Sequence, residues 1–160
     1  MKWFGAIGVL LLAVCSAAVH PFGSVRQAGP SSQAASNGLI APAGVESVLE
    51  RSCADCHSNH TAWPWYSHVA PVSWLVERDV SRGRDRLNFS NWSRYSVEER
   101  RRFLADIASA VKNGEMPLSQ YTLMHSKAKL SDAERDAVYQ WARLERRKLG
   151  PPAVPGTGGR

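Results

Sequence analysis

The sequence has little of what would direct it to several common protein classes. It contains only three cysteines in 160 residues, and Cys53 and Cys56 form the only closely spaced pair. Without a second pair, the chain lacks the fourth strong ligand that a cysteine-based zinc site needs. No βαβ pattern surrounds the pair, which argues against a thiol-redox module. Internal repeats and the apolar–polar alternation of β-strands are also missing, so we predict an all-α fold.

The cysteine pair belongs to the run Cys53-Ala54-Asp55-Cys56-His57, which has the Cys-x-x-Cys-His spacing of c-type haem attachment. In such a site two thiols add to the vinyl groups of one haem, and the histidine supplies an imidazole to the iron. Both thioethers and the imidazole can reach one porphyrin because they come from a single helical turn. We therefore expect one covalently attached haem c per chain, held by Cys53, Cys56 and His57.

The N-terminus has the pattern of an export signal. A single positive residue, Lys2, precedes an uncharged apolar run at residues 3–19, and small residues would allow cleavage after Ala18. The run is also only slightly short of a typical membrane span, about 17–25 residues, so an uncleaved membrane anchor is the alternative. We interpret Cys15 as part of the apolar run rather than as a lipid attachment site. Each outcome predicts a periplasmic or extracytoplasmic protein, on the side where bacteria attach haem covalently.

Composition divides the remainder of the chain into three parts. Residues 20–43 are rich in Ser, Ala, Gly, Gln and Pro, carry a single charge at Arg26, and are predicted to form a flexible linker. Residues 150–160 are predicted to be a disordered tail for the same reason. Residues 44–149 are enough for one small domain. Because small domains have limited cores, a buried haem would supply much of the apolar interior.

Helical periodicity marks four segments of this domain. They begin near Ala43, Pro71, Ser96 and Ser131. The first leads into the cysteine motif, and the second ends near Gly83. The third and fourth begin with a serine that is followed three residues later by glutamate, which is the capping-box pattern. Gly114 suits the end of the third helix. The second segment has an apolar stripe formed by Val72, Leu75, Val76 and Val80.

Four short blocks carry a resemblance to a known family. They are the motif region at 53–59, Trp-Pro-Trp-Tyr at 63–66, Leu-Asn-Phe-Ser-Asn-Trp at 87–92 and Gly-Glu-Met-Pro at 114–117. Together with the order of helices, they resemble the small monohaem cytochromes c, and most closely the bacterial haem-binding domain family of that class. The resemblance implies a small cytochrome c-like helical domain around one covalently bound haem, with an electron-transfer role.

The second axial ligand of the iron is Met or His in cytochromes c. Met116 precedes Pro117 in a loop ahead of the last helix, which resembles the position of the axial methionine in monohaem cytochromes c. Pro117 would stiffen that loop. His125 is the main alternative, although we favour a role for it in hydrogen bonding the linker or a haem propionate. The less well placed candidates are His60, His68 and Met124.

Further residues are expected to surround the haem. The aromatic side chains expected to wall the pocket and exclude water are Trp63, Trp65, Tyr66 and Trp92. The side chains with polar groups that could reach the haem propionates are Asn88, Trp92 and Tyr121.

The chain is basic, with 20 Lys and Arg against 14 Asp and Glu. Basic residues cluster at Arg82, Arg84 and Arg86, at 100–102 and at 143–148. Such clusters are commonly solvated helix faces, but they could also dock an acidic redox partner or anionic lipid. No nucleic-acid-binding motif is present, and nucleic acid is not expected as a partner.

Two functional hypotheses follow. The first is a one-electron carrier in an extracytoplasmic redox chain, with both axial positions of the iron filled. The alternative is a haem enzyme or a gas or redox sensor with an open or displaceable sixth ligand. The identity of the sixth iron ligand distinguishes the two hypotheses.

Overall fold

The computed structural model describes residues 22, 25, 26 and 38–151. The apolar run at 3–19 and its cleavage site lie outside this part, as do most of the predicted linker and residues 152–160 of the predicted tail. Every regular element of the described residues is helical, which confirms the all-α prediction. Among these residues, the helices are too short or too polar to cross a bilayer.

Six α-helices make up the described part: α1 Ala43–Ser52, α2 Ala54–His57, α3 Val72–Arg86, α4 Val97–Lys112, α5 Ser119–Met124 and α6 Asp132–Lys148. Between them lie short 3-10 turns at Trp65–His68, Phe89–Arg94 and Ser126–Ala128. The four predicted helices correspond to α1, α3, α4 and α6. The cysteine motif itself forms the additional single turn α2, and α5 lies in the region predicted as loop.

The ends of α4 and α6 agree with the local sequence signals. Before α4, the Ser96 hydroxyl accepts from the Glu99 N–H at 3.2 Å, and the Glu99 carboxylate accepts from the Ser96 N–H at 2.8 Å. Ser131 and Glu134 make the same pair of contacts before α6. Each box satisfies two backbone N–H groups that a helix start leaves without intrahelical partners. Gly114 follows α4 with a φ of 72°, a conformation that favours glycine.

The apolar core lies between α4, α6 and α1. Leu104 of α4 and Val138 of α6 are almost completely buried, and Val48 and Leu49 of α1 pack against the same cluster. Trp92 also lies in this core, where its ring is 6.5 Å from that of Phe103. Because α1 packs into this core and leads directly into α2, the core fixes the position of the cysteine motif.

Helix α3 buries only part of its apolar stripe. Val72 and Leu75 are exposed, whereas Ser73, Glu77 and Val80 are buried. Glu77 can be buried because Arg26 supplies a countercharge, with Nε only 2.6 Å from the Glu77 Oε1. The helix that the stripe predicts is present, but only Val80 of the stripe is fully buried, and Glu77 is buried with its countercharge.

Arg26 joins the N-terminal segment to the domain. Besides its ion pair with Glu77, its guanidinium donates to the Ser67 carbonyl and lies 4.4 Å from the centre of the Trp63 ring. A cation above an aromatic ring is attracted to its negative face. Part of the segment that composition predicts as linker therefore lies against the folded domain.

Candidate functional site

A cavity of about 620 Å³ lies between the cysteine motif, α3, α4 and the loop before α5. Cofactor sites usually have volumes of about 300–1,000 Å³ and mostly apolar walls. The large apolar side chains in the lining are those of Leu49, Leu87, Phe89, Phe103, Ile107, Val111 and Leu118. Cys53, Cys56, His57 and Met116 line the same cavity. The four residues that sequence singled out as haem ligands and attachment points are thus brought together.

The His57 ring is held by the backbone. Its Nδ1 lies 3.0 Å from the carbonyl oxygen of Leu87, and because a carbonyl only accepts, Nδ1 carries the proton. The Nε2 lone pair is then available to a metal, which is the usual arrangement of a metal-binding histidine. Burial lowers the pKa of His57, although hydrogen bonds to Leu87 and Gly83 act in the opposite direction. The neutral imidazole is the form that binds iron.

Burial disfavours the thiolate form of both cysteines. Burial raises the pKa of Cys53 to about 12, and burial together with the nearby Asp55 raises the pKa of Cys56 to about 12. Catalytic dithiols show the reverse shift of the pKa, because the thiolate is the reactive form.

Among the described residues, no group of three or more His, Cys, Asp or Glu could hold a metal ion.

Helix α3 passes in backbone contact with the motif. A Cβ added to Gly83 would lie 2.5 Å from the Cys56 carbonyl oxygen, well inside van der Waals contact. Only glycine therefore lets α3 approach the motif this closely and line the cavity.

Arg84 fixes the segment that follows the motif. Its guanidinium donates to the Ser58 carbonyl at 2.8 Å, to the Thr61 hydroxyl at 2.9 Å and to the Val25 carbonyl at 2.7 Å. This arginine is a structural clamp, so it does not belong to a solvated basic face with its sequence neighbours.

Met116 and His125 lie in different surroundings. Met116 lines the cavity, and its backbone N–H donates to the Ala110 carbonyl at 3.2 Å, which folds the loop back onto α4. His125 does not line it. Its Nε2 lies 3.1 Å from the Tyr66 hydroxyl, its Nδ1 lies 3.2 Å from the Tyr121 carbonyl, and its ring stacks on Tyr121 at 4.2 Å. Both ring nitrogens of His125 thus have protein partners, and the Tyr121 ring on which it stacks lines the cavity in its place.

The predicted aromatic wall is wrong. The four aromatic residues that were expected to wall the pocket, Trp63, Trp65, Tyr66 and Trp92, are all absent from the cavity lining, where the aromatic rings are those of Phe89, Phe103 and Tyr121. Trp92 belongs to the core, and the Trp-Pro-Trp-Tyr block leads into the 3-10 turn that packs on α3. That turn lies on the side of α3 that carries Glu77, whereas the cavity lies on the other side of the helix.

Three arginines that sequence reasoning did not assign to the site, Arg78, Arg82 and Arg86, line the cavity from α3. Their spacing of four residues places them along one side of a helix, and this spacing was the signal available in the sequence. Guanidinium groups bind carboxylates well, and Arg78 already donates to the Asp79 carboxylate at 2.9 Å. Arg82 and Arg86 are therefore the arginines that could hold the propionates of a haem.

Two of the side chains that the sequence suggested for binding the haem propionates have other contacts. Tyr121 lines the cavity, but its hydroxyl donates to Asp55 Oδ2 at 2.7 Å. The Asn88 amide donates to Asn59 Oδ1 at 2.8 Å, which ties the turn after α3 to the segment after the motif. These side chains position the loops around the cavity.

Comparison with known proteins agrees with this geometry. The haem-binding domain family matches residues 12–144, a stretch that includes the cysteine motif and every residue that lines the cavity. No curated protein and no solved structure matches the chain. The match confirms the resemblance seen in the sequence, and the chain belongs to the haem-binding domain family.

Proposed function

We propose that the protein binds one haem c covalently and carries single electrons on the extracytoplasmic side of a membrane. The observation that supports this most is the shared cavity, which is lined by both thiols, by His57 with its Nδ1 proton held in place, and by Met116. In this proposal Cys53 and Cys56 form the thioether bonds, His57 Nε2 binds the iron, and the Met116 sulfur occupies the second axial position.

The chain's own residues set the conditions for electron transfer. Bound haem supplies the redox couple, in which iron alternates between the ferric and ferrous states. The apolar lining excludes water, and the Leu87 carbonyl keeps His57 in one tautomer and orientation. A thioether ligand favours ferrous iron more than a second imidazole does, so Met116 would give a higher potential than His125.

The sequence also supports the proposed location and partners. The apolar run at 3–19 would direct export or anchor the chain, and haem c is attached outside the cytoplasm. The net charge of +6 favours an acidic redox protein as the partner. Arg82 and Arg86 are exposed beside the cavity and would lie near such a partner.

The test compares three single substitutions in the haem-loaded protein. Met116→Ala should abolish the weak sulfur-to-iron charge-transfer band of the ferric spectrum, lower the midpoint potential and allow rapid carbon monoxide binding. His125→Ala should leave the band in place. Met124→Ala is the matched control, because Met124 is 58% exposed and does not line the cavity, and it should leave spectrum and potential unchanged.

Two outcomes would overturn the proposal. Loss of the axial band in His125→Ala but not in Met116→Ala would assign the distal position to His125. Rapid carbon monoxide or peroxide binding by the wild type would favour the enzyme or sensor. Covalent attachment is read from the same samples, since haem c stays with the chain in acid–acetone.

A further inference from the structure

The wall of the cavity that carries Met116 is one continuous segment of the chain. Almost every residue from 115 to 121 lines the cavity, so Met116 and Tyr121 belong to the same wall. At the α4 end, the Ala110 carbonyl accepts from the N–H groups of Glu115 and Met116 at 2.9 and 3.2 Å. At the other end the segment continues into α5. The position of Met116 therefore depends on how both ends are held.

Helix α5 has little apolar packing to hold its end of the segment. None of its residues is buried. Within the described part, two of its side-chain hydrogen bonds reach other helices: the Tyr121 hydroxyl donates to Asp55 Oδ2 at 2.7 Å, and Gln120 Nε2 donates to Asp79 Oδ2 at 3.4 Å. The first is shorter and partly buried, where water weakens a hydrogen bond less, whereas the second is exposed. The bond from Tyr121 to Asp55 is thus the stronger connection of α5 to the domain.

Asp55 is an acceptor whose position is fixed. It lies between the two cysteines of the motif, and its Oδ1 accepts from the Ala62 N–H at 2.9 Å. Its carbonyl accepts from the Thr61 hydroxyl at 2.6 Å, to which Arg84 also donates at 2.9 Å. A group that bonds to the Asp55 carboxylate is therefore held at a set distance from the proposed haem attachment points.

His125 supports the ring of Tyr121. The two rings stack with their centres 4.2 Å apart and their planes 26° apart. His125 Nδ1 lies 3.2 Å from the Tyr121 carbonyl oxygen, and its Nε2 lies 3.1 Å from the hydroxyl of Tyr66, the last residue of the Trp-Pro-Trp-Tyr block. His125 and Tyr66 thus hold the Tyr121 ring in the orientation that reaches Asp55.

We infer that the hydrogen bond from Tyr121 to Asp55 positions the Met116 segment against the cysteine motif and thereby keeps the Met116 sulfur on the iron. Tyr121 is a positioning residue, which affects the iron only through Met116. The inference rests on the proposed function, in which Met116 is the second axial ligand. Without the Tyr121 hydroxyl, the sulfur is displaced for a larger fraction of the time, and an added ligand reaches its position more often.

The experiment compares Tyr121→Phe with Tyr139→Phe in the haem-loaded protein. The control loses the same hydroxyl group, but that of Tyr139 accepts from Arg143 within α6, and Tyr139 does not line the cavity. When the ferrous proteins are mixed with carbon monoxide, Tyr121→Phe should bind it about tenfold faster than the wild type, the usual effect of losing a hydrogen bond to a charged group. The control should bind it at the wild-type rate. On heating, the ferric sulfur-to-iron charge-transfer band should disappear at a lower temperature in Tyr121→Phe than in the other two proteins.

Asp55→Ala, alone and combined with Tyr121→Phe, completes a double-mutant cycle. Asp55→Ala also loses the contact with Ala62, but the cycle separates that effect from the interaction with Tyr121. The combined variant should bind carbon monoxide no faster than the faster of the two single variants. Hydrogen exchange over residues 115–125 should increase in Tyr121→Phe and stay unchanged in Tyr139→Phe.

A wild-type rate of carbon monoxide binding in Tyr121→Phe would overturn the inference, even with increased hydrogen exchange. So would single effects that multiply in the combined variant, because Tyr121 and Asp55 would then act independently. Rapid carbon monoxide binding by the wild type is a different result, since it is a failure of the proposed function itself. The inference alone fails when the wild type and Tyr121→Phe bind carbon monoxide equally slowly.

Discussion

At the scale of single residues, the position of α3 depends on Gly83, which has no side chain. Gly83 allows α3 to contact the Cys56 carbonyl, and the Leu87 carbonyl that holds His57 follows four residues later. A displacement of α3 would therefore move the hydrogen bond acceptor of the proposed iron ligand. The sequence indicated Gly83 as a helix end, whereas the structure shows that close packing requires it.

We expect Gly83→Ala to destabilise the haem-loaded protein by about 1–3 kcal/mol, the usual cost of overpacking a tight contact. It should also lower the yield of attached haem, because the added Cβ would push α3 away from the cysteine motif. Denaturant unfolding and haem content per chain measure the two effects.

Gly44→Ala in α1 is the control for helix propensity. A Cβ at Gly44 would meet nothing within 4 Å, so this change should be neutral or stabilise by up to about 1 kcal/mol. Equal behaviour of the two variants would show that α3 does not touch the motif in solution.

At the scale of helices, the capping box of α6 also ties that helix to α1. Arg51 of α1 lies 2.9 Å from Glu134 Oε1. Hydrogen bonds from the Ser131 backbone and from Arg51 lower the pKa of Glu134 to about 2 from its ordinary 4.5. One carboxylate thus stabilises the start of α6 and connects it to the helix that leads into the cysteine motif.

This shift predicts a pH dependence of stability. Because the pKa of Glu134 is lower in the folded than in the unfolded chain, its stabilising effect is present above pH 4.5 and is lost as the pH falls towards 2. Wild type should therefore be more stable than Glu134→Gln at neutral pH, and the difference should disappear near pH 2. Urea unfolding across this range measures it, and a difference that is independent of pH would contradict the argument.

The helices also show how far local patterns can predict. Both capping boxes and the start of α1 were predicted correctly, because capping depends on residues three apart and periodicity on a few turns. The burial of Glu77 in α3 was not predicted, because its countercharge Arg26 lies 51 residues away and no local pattern relates these two residues.

At the scale of the whole molecule, Arg26 links the N-terminal segment, the turn at Trp65–His68 and α3. Removing one partner of a buried ion pair weakens the compensation of the buried charge that remains. We expect Arg26→Met to lower the free energy of unfolding by about 3 kcal/mol. Arg26→Met combined with Glu77→Leu should recover most of this loss, because both charges are then removed.

Lys112→Met serves as the matched control for this experiment. Lys112 pairs with Asp136 at 3.1 Å, but both side chains are more than half exposed, so its loss should cost less than about 1 kcal/mol. Chemical denaturation of the haem-loaded protein compares the variants. An unchanged stability of Arg26→Met would show that the N-terminal segment does not dock as described.

The sequence by itself determined the features that depend only on residues close together in the chain. The attachment motif spans five residues, and each capping box spans four, so these features could be identified without a fold. Met116 and His125 were both candidates, because sequence position alone does not show which side chain reaches a shared cavity.

Only the tertiary structure decided the contacts between distant residues. His57 and Leu87 are 30 residues apart, Arg26 and Glu77 are 51 apart, and Tyr121 and Asp55 are 66 apart. Such pairs form only after the helices pack, since packing sets which faces and loops meet. For that reason the cavity lining, the partners of His125 and the docked N-terminal segment could not be predicted from local patterns.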